Sequence, residues 1–297
     1  KPVPAARFRQ GLLIFAIMKT CHQCGTPLPS PARYCIECGA PQFQSIASGG
    51  EGPLDLEADL APQLTRGFFA ALRRRIEEEQ PGGDRNRYIK RLQDAGFVET
   101  VQRRAAQLEA EIQAMVRRYG PDRARIAQIV QPVYDELLDF FLLHLCRDLN
   151  PIPLPEAILK YGAAPPEDVD LFSVVLDYLD LEREEEDIYL SDDFLSMSPA
   201  LLRNAGQNFL FPAKGERIFL LCDQSLFGTC REGFALTERA LYWKAPLQRA
   251  RQVRYADLEE ISKQKEWITV NGHFFHVNLV LDVKMLKLLR RFRTWFA

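Results

Sequence analysis

The chain has 297 residues, 47% of them apolar, which is enough material for two or three compact units with their own cores. Acids and bases nearly cancel to a formal net charge of -2, which excludes a wholesale polyanion binder and leaves any electrostatic partner to a local patch. Seven cysteines are too few for a secreted, disulfide-stapled scaffold and fit a reducing cytosol, so the expected location is cytoplasmic.

Residues 1–17 contain "GLLIFAIM", an apolar run after Arg7 and Arg9 that is too short to span a bilayer. Met18 opens "MKTCHQCG" and reads as a natural start, so residues 1–17 are treated as an extension. Then come two Cys-x-x-Cys pairs, Cys21/Cys24 and Cys35/Cys38. Each pair sets two sulfurs on one tight turn, and together they supply the four thiolates of a closed tetrahedral cage for structural Zn²⁺, although iron would also fit such a cage. Gly25 and Gly39 follow the pairs, where positive φ eases the fold around the sulfurs. A filled cage leaves no open coordination for catalysis, and a unit this small depends on its metal to fold. The stretch resembles the short zinc ribbons found at the start of many bacterial and archaeal proteins. That resemblance implies binding to nucleic acid or protein. With Arg33 the one base and Tyr34 the one aromatic between Cys21 and Cys38, protein docking is the better reading.

Residues 18–43 thus form the ribbon and 44–60, with "QSIASGGEGP", a flexible linker. Helical periodicity follows over 61–205. Thr65 is the expected N-cap of a helix carrying Phe68, Phe69, Leu72 and Ile76, stopped at "QPGGD". Val98, Val101, Ala105, Leu108, Ile112, Met115 and Tyr119 then repeat at 3,4 spacing, an a/d seam. The seam suits either a hairpin within the chain or a homodimer through residues 98–119. Gly120-Pro121 ends that helix, and Asp122 is placed to cap the next, expected from Arg123 to Leu149 with a kink at Pro132. His144 and Cys146 fall in its apolar second half and read as packed core residues. From Glu167 to Asp193 twelve acids face one base, Arg183, which reads as a solvated connector.

Residues 206–297 change to short strands rich in β-branched and aromatic residues. Asn271-Gly272 is a two-residue hairpin signal. "VKMLKLLRRFRTWF" closes the stretch as an amphipathic helix, with Met285, Leu288, Leu289, Phe292 and Trp295 on one side and Lys284, Lys287 and Arg291 opposite. Asp223, Leu226, Phe227, Gly228, Gly233, Phe234, Thr237, Tyr242, Trp243 and Lys244 resemble the pattern of bacterial pleckstrin-homology-like domains. That likeness implies a bent β-barrel plugged by a helix and used for binding, with no catalytic residue to carry over. The loop Asp223–Glu232 carries one base, Arg231, which does not suit phosphoinositide recognition.

The expected architecture is therefore multidomain α+β: a zinc ribbon, a helical middle domain with an acidic connector, and a pleckstrin-homology-like bent barrel capped by a helix. No P-loop, nucleophile elbow or His-Glu-x-x-His motif occurs, so the chain reads as a non-catalytic adaptor that docks proteins. The first alternative is a peripheral membrane protein that meets anionic lipid through Lys284, Lys287, Arg290, Arg291 and Arg293. The second is a nucleic-acid-binding zinc-ribbon protein. The net charge of +6 over Lys244–Ala297, eleven bases against five acids, leaves two readings: the acidic connector and this module face water independently, or the connector lies against the module and masks it from anionic lipid or an acidic partner.

Overall fold

The structure, a computed structural model, describes residues 18–20, 25–29, 54–162, 164–184 and 186–296. Near the start, β1 (Met18–Thr20) pairs antiparallel with β2 (Pro27–Pro29), Thr20 opposite Pro27. The four cysteines of the expected metal cage lie outside the described residues.

A helical bundle follows: α1 (Leu60–Glu79), α2 (Arg85–Asp94), α3 (Phe97–Tyr119) and α4 (Arg123–Phe140). Helix α1 starts five residues before Thr65, and its first N–H groups are capped from another helix. Leu60 N and Ala61 N donate to the Glu109 carboxylate of α3 at 2.9 and 3.3 Å, while Thr65 Oγ1 donates back to Ala61 O. A carboxylate at a helix N-terminus satisfies orphan donors and favours the dipole, and here it sits 49 residues away in sequence. The expected cap appears at α4, where Asp122 accepts from Ala124 N and Arg125 N; α2 is capped in the same way by Asp84, which accepts from Asn86 N.

The a/d seam is filled within the chain. Val101, Ala105, Leu108 and Ile112 are buried in one core with Leu60, Leu64, Phe68, Leu72, Tyr134 and Leu138 from α1 and α4. Val98 and Met115 at its ends are half-buried and Tyr119 is 57% exposed. A coiled coil with a second copy through residues 98–119 would have to displace α1 and α4 from this seam. Beyond Phe140 the chain continues as one π-helical turn, Phe141–Leu145, short of the expected end at Leu149. Cys146 is buried as expected, but His144 is exposed and faces Glu156 at 2.5 Å.

The remaining strands form two antiparallel sheets. One has the order β3 (Asp187–Leu190), β4 (Ile218–Asp223), β5 (Gly233–Thr237), β6 (Ala240–Lys244), β7 (Arg251–Arg254). The other is β10 (His273–Phe275), β9 (Ile268–Val270), β8 (Ile261–Lys263). Asn271 and Gly272 both take positive φ, 47° and 76°, in the β9–β10 turn, as that dipeptide requires. Among the described residues no barrel closes.

Both faces of the larger sheet are covered, which explains why its strands read as apolar runs rather than alternations. Leu220, Cys222, Phe234, Leu236, Leu241 and Trp243 face a core shared with the last helix, α7 (Leu279–Phe296). Leu221, Ala235, Ala240 and Tyr242 face Met197, Ala205 and Phe209, in and beside helix α6 (Pro199–Asn208). Helix α7 is wedged between β8 and helix α5 (Leu171–Leu179) and is buried almost all round.

Two expectations change accordingly. The helix does not plug the end of a barrel, because the connector, α1, α4 and α5 close over the side of α7 that a plug would leave wet, with Glu184 on Lys284, Glu79 and Asp139 on Lys287, and Tyr178 on Arg291. The proposed boundary at 205/206 also cuts through a packed unit. Residues 152–179 share its core, and β3, from the acidic connector, adds as an edge strand with Asp187 opposite Asp223.

Candidate functional site

The basic residues of α7 are not a surface. Lys284 Nζ lies 2.6 Å from Glu184 Oε1 and donates to Asp180 O, with side-chain exposures of 2% and 6% for the pair. Lys287 Nζ, also 2% exposed, reaches Glu79 at 3.0 Å and Asp139 at 2.6 Å. Arg290 bonds Glu78 at 2.7 Å, and Arg291 donates to Tyr178 Oη and Gly162 O. Arg293 donates to Glu259 O. Arg75 completes the cluster by pairing with Glu79, Asp135 and Asp139. Burial pushes the Glu79 and Asp139 carboxyls up, but the adjacent Arg75 and Lys287 outweigh it and hold both below their ordinary range. Lys284, Lys287 and Arg290 are thus corrected from a partner-binding face to an internal lock between α7, the helical bundle and the connector. Of the two readings of the acidic connector, neither holds as stated: it meets the basic module at Glu184, as a buried pair rather than a diffuse surface screen. A stretch of α7 with polar residues on one side reads as a wet face because carboxylates about 100 to 200 residues upstream are invisible to local periodicity.

A second candidate is the end of α7. Asn278 caps the helix through Leu281 N, and the buried Asp282 accepts from Val277 N at 2.9 Å while His276 Nδ1 lies 2.8 Å from its other oxygen. Burial raises the Asp282 carboxyl against the pull of His276 and that N–H. Lys263 Nζ is buried without a hydrogen-bond partner, and burial lowers its pKa. This constellation caps a helix, and the described thiols stand apart from it: Cys222 and Cys230 lie in the larger sheet and its β4–β5 turn, and burial pushes both thiols up, Cys230 to about 12. Cys146 in the bundle is likewise raised to about 12 by burial. His273 and His276 do not converge on a shared site; among the described residues no group of three or more His, Cys, Asp or Glu is placed to hold a metal ion.

A third candidate is the β4–β5 turn, which places two large apolar side chains side by side in solvent. Its tip, Leu226-Phe227, is 87% and 85% exposed. The turn beneath is pinned from inside. Buried Asp223 accepts from Ser225 N at 2.8 Å and from Cys230 N at 2.9 Å, and it also holds Ser225 Oγ. Ser225 Oγ accepts from Thr229 N, Ser225 O accepts from Gly228 N, and Asn204 of α6 donates to Thr229 O. Gln224 Nε2 reaches His276 O, and Lys244 Nζ reaches Arg231 O. Gly233 closes the base with φ 143°, and a Cβ there would lie 2.0 Å from Cys222 O, so no other residue fits without moving the strand. Cys230, at φ 52°, takes a left-handed conformation that its hydrogen bond to Asp223 helps to hold. Two large apolar side chains are therefore displayed on a rigid turn. Around its base stand four acids (Glu186, Asp187, Asp223, Glu232) and two bases (Arg231, Lys244), which does not favour an anionic surface.

The family pattern picked out Leu226, Phe227 and Gly228, but apolar residues between strands give no local sign of whether they are packed or displayed. Near the N-terminus, Gly25 does take positive φ, 75°, just after the first cysteine pair. Searched against protein families, curated proteins and solved structures, the chain matches none.

Proposed function

We propose that this chain is a cytoplasmic binding or adaptor protein, not a catalyst, whose C-terminal unit docks a protein partner through the Leu226-Phe227 turn. The carrying observation is that exposed apolar pair on a turn whose polar groups are satisfied from within. Burying a Leu or Phe is worth about 1.5–3 kcal/mol each, and a preformed turn has little order left to lose on binding. The raised thiol pKa values support a role without cysteine nucleophiles. Among the described residues no helix is long and apolar enough to cross a membrane. The likeness to pleckstrin-homology-like domains stays part of this reading, as a sheet pair closed by α7, supported by the succession of antiparallel strands before that helix.

A structural zinc ribbon on Cys21, Cys24, Cys35 and Cys38 is the second docking module. It is supported by the four-thiolate donor set and by a strand pair that brackets the first cysteine pair. Elemental analysis of chelator-free protein should find one zinc per chain, lost in Cys35→Ser; metal-free wild type would remove the ribbon from the reading. For the docking turn, a photo-crosslinking residue replaces Phe227 in the full chain in its own cells, with the same residue at Glu238 as control. A discrete protein adduct specific to position 227 is expected. Adducts to lipid, or none beyond the control, would overturn the proposal.

A further inference from the structure

Four arginines gather at the α3–α4 turn: Arg117 and Arg118 in the last turn of α3, Arg123 and Arg125 in the first turn of α4. All four are exposed. Between Ile112 and Tyr134 the chain holds one acid, Asp122. That carboxylate is already engaged, capping α4 and lying 3.3 Å from Arg125 Nε. Among the described residues Arg117, Arg118 and Arg123 have no ion-pair partner.

Helix stability explains only half of this set. Arg117 and Arg118 at a C-terminus complement the helix dipole, but Arg123 and Arg125 at an N-terminus oppose it. The pair therefore carries a local cost that a purely structural role would shed. Tyr119, 57% exposed, orders the cluster: the Arg118 and Arg125 guanidiniums lie 5.0 and 4.9 Å from its ring centroid. Gly120, at φ 79°, and Pro121 make the turn tight. One turn behind, Met115, Val116, Ile129 and Val130 are half-buried, so apolar surface backs the charge.

We propose that this turn is a binding site for the phosphate surface of an anionic lipid bilayer. Guanidinium forks pair with phosphate oxygens, and an exposed Tyr among them suits the headgroup layer. Shape selects the bilayer over a duplex. Two helices side by side make a blunt end about 20 Å wide, against a major groove of about 12 Å. The site lies in the helical bundle, independent of the Leu226-Phe227 turn.

The test uses the full chain in co-sedimentation with vesicles of phosphatidylcholine, with and without phosphatidylserine, at an ionic strength of about 0.1 M. Each basic residue near an anionic surface contributes about a fivefold factor. Wild type should therefore prefer the anionic vesicles, and Arg117→Gln, Arg118→Gln, Arg123→Gln and Arg125→Gln together should lose about 100-fold or more. The matching Arg→Lys variant keeps the charge but not the fork and should fall between wild type and the Arg→Gln variant, and Arg73→Gln with Arg74→Gln, exposed arginines on α1, should change binding little. Unchanged circular dichroism and thermal midpoint will show that the variants fold. No preference for anionic vesicles in wild type, or equal loss in the α1 control, would overturn the proposal. So would tighter binding of duplex DNA than of vesicles through the same four arginines.

Discussion

Helix α7 carries Lys284, Lys287 and Arg290 into contact with carboxylates, while the α3–α4 turn holds Arg117, Arg118, Arg123 and Arg125 in water. In the first region each cation has a counter-charge placed by a distant element: Glu184 of the connector for Lys284, Glu79 of α1 and Asp139 of α4 for Lys287, and Glu78 of α1 for Arg290. In the second, one acid and one ring serve four guanidiniums. The difference separates charges that hold the protein together from charges left for something outside it. A buried, paired cation has no free energy to offer a partner, whereas an exposed and unpaired one keeps its full field.

The contrast is sharpest at Lys287. Replacing it by Met leaves Glu79, which is 0% exposed, and Asp139 without one of their cations, and should cost about 3–5 kcal/mol in urea unfolding. A loss under about 1 kcal/mol would break the comparison. Lys284→Met should cost somewhat less, since it leaves one carboxylate rather than two without its cation and Glu184 keeps Asn278 Nδ2 as a donor. A double-mutant cycle with Glu184→Gln should return a coupling of about 1–3 kcal/mol.

Acid titration tests the same lock. Glu79 and Asp139 have folded pKa values below their unfolded ones, so their contribution is complete above the unfolded values, at pH above about 5, and is lost as pH falls through the folded ones. Asp282, raised by burial, acts in the opposite sense: its contribution is present at low pH and is lost as pH rises through its folded value. Thermal melts from neutral pH downward should therefore lose stability more gently in Glu79→Gln than in wild type. A steeper acid loss in the variant would contradict the assignment. The smallest effects belong to the exposed sets. Arg123→Gln with Arg125→Gln should shift stability by no more than about 0.5 kcal/mol, with relief of the dipole conflict favouring a gain. Leu226→Ser with Phe227→Ser should likewise stay within about 0.5 kcal/mol, because those side chains contribute little to the core.

Features set by near neighbours were legible in the sequence. Asp122 caps α4, Asn271-Gly272 turns a hairpin, and the seam from Val101 to Ile112 is buried, each following from residues a few positions apart. Features set by distant partners were not. Nothing near Leu60 announces that Glu109 will cap α1, and nothing in "EDIYLSDD" announces that Asp187–Leu190 will extend a sheet whose other strands begin near residue 218. The acidity of that stretch hides a strand because an edge strand tolerates charge on its open side. The α7 lysines misled for the complementary reason: periodicity shows which residues share a side, but not what covers that side.

The lock also has a consequence for the order in which the protein is made. Glu79 and Lys287 are 208 residues apart, so at about 5–20 residues per second the first waits roughly 10–40 s for the second to be synthesised. During that interval the α1–α4 bundle can already assemble, with Arg75 as the neighbouring cation for Glu79 and Asp139. The sheets have no such stand-in, since Leu281, Met285, Leu288 and Phe292 complete their core. A nascent chain halted before residue 281 should therefore display a protease-resistant bundle followed by strands that are readily cut. Release of α7 would then close both regions in one step.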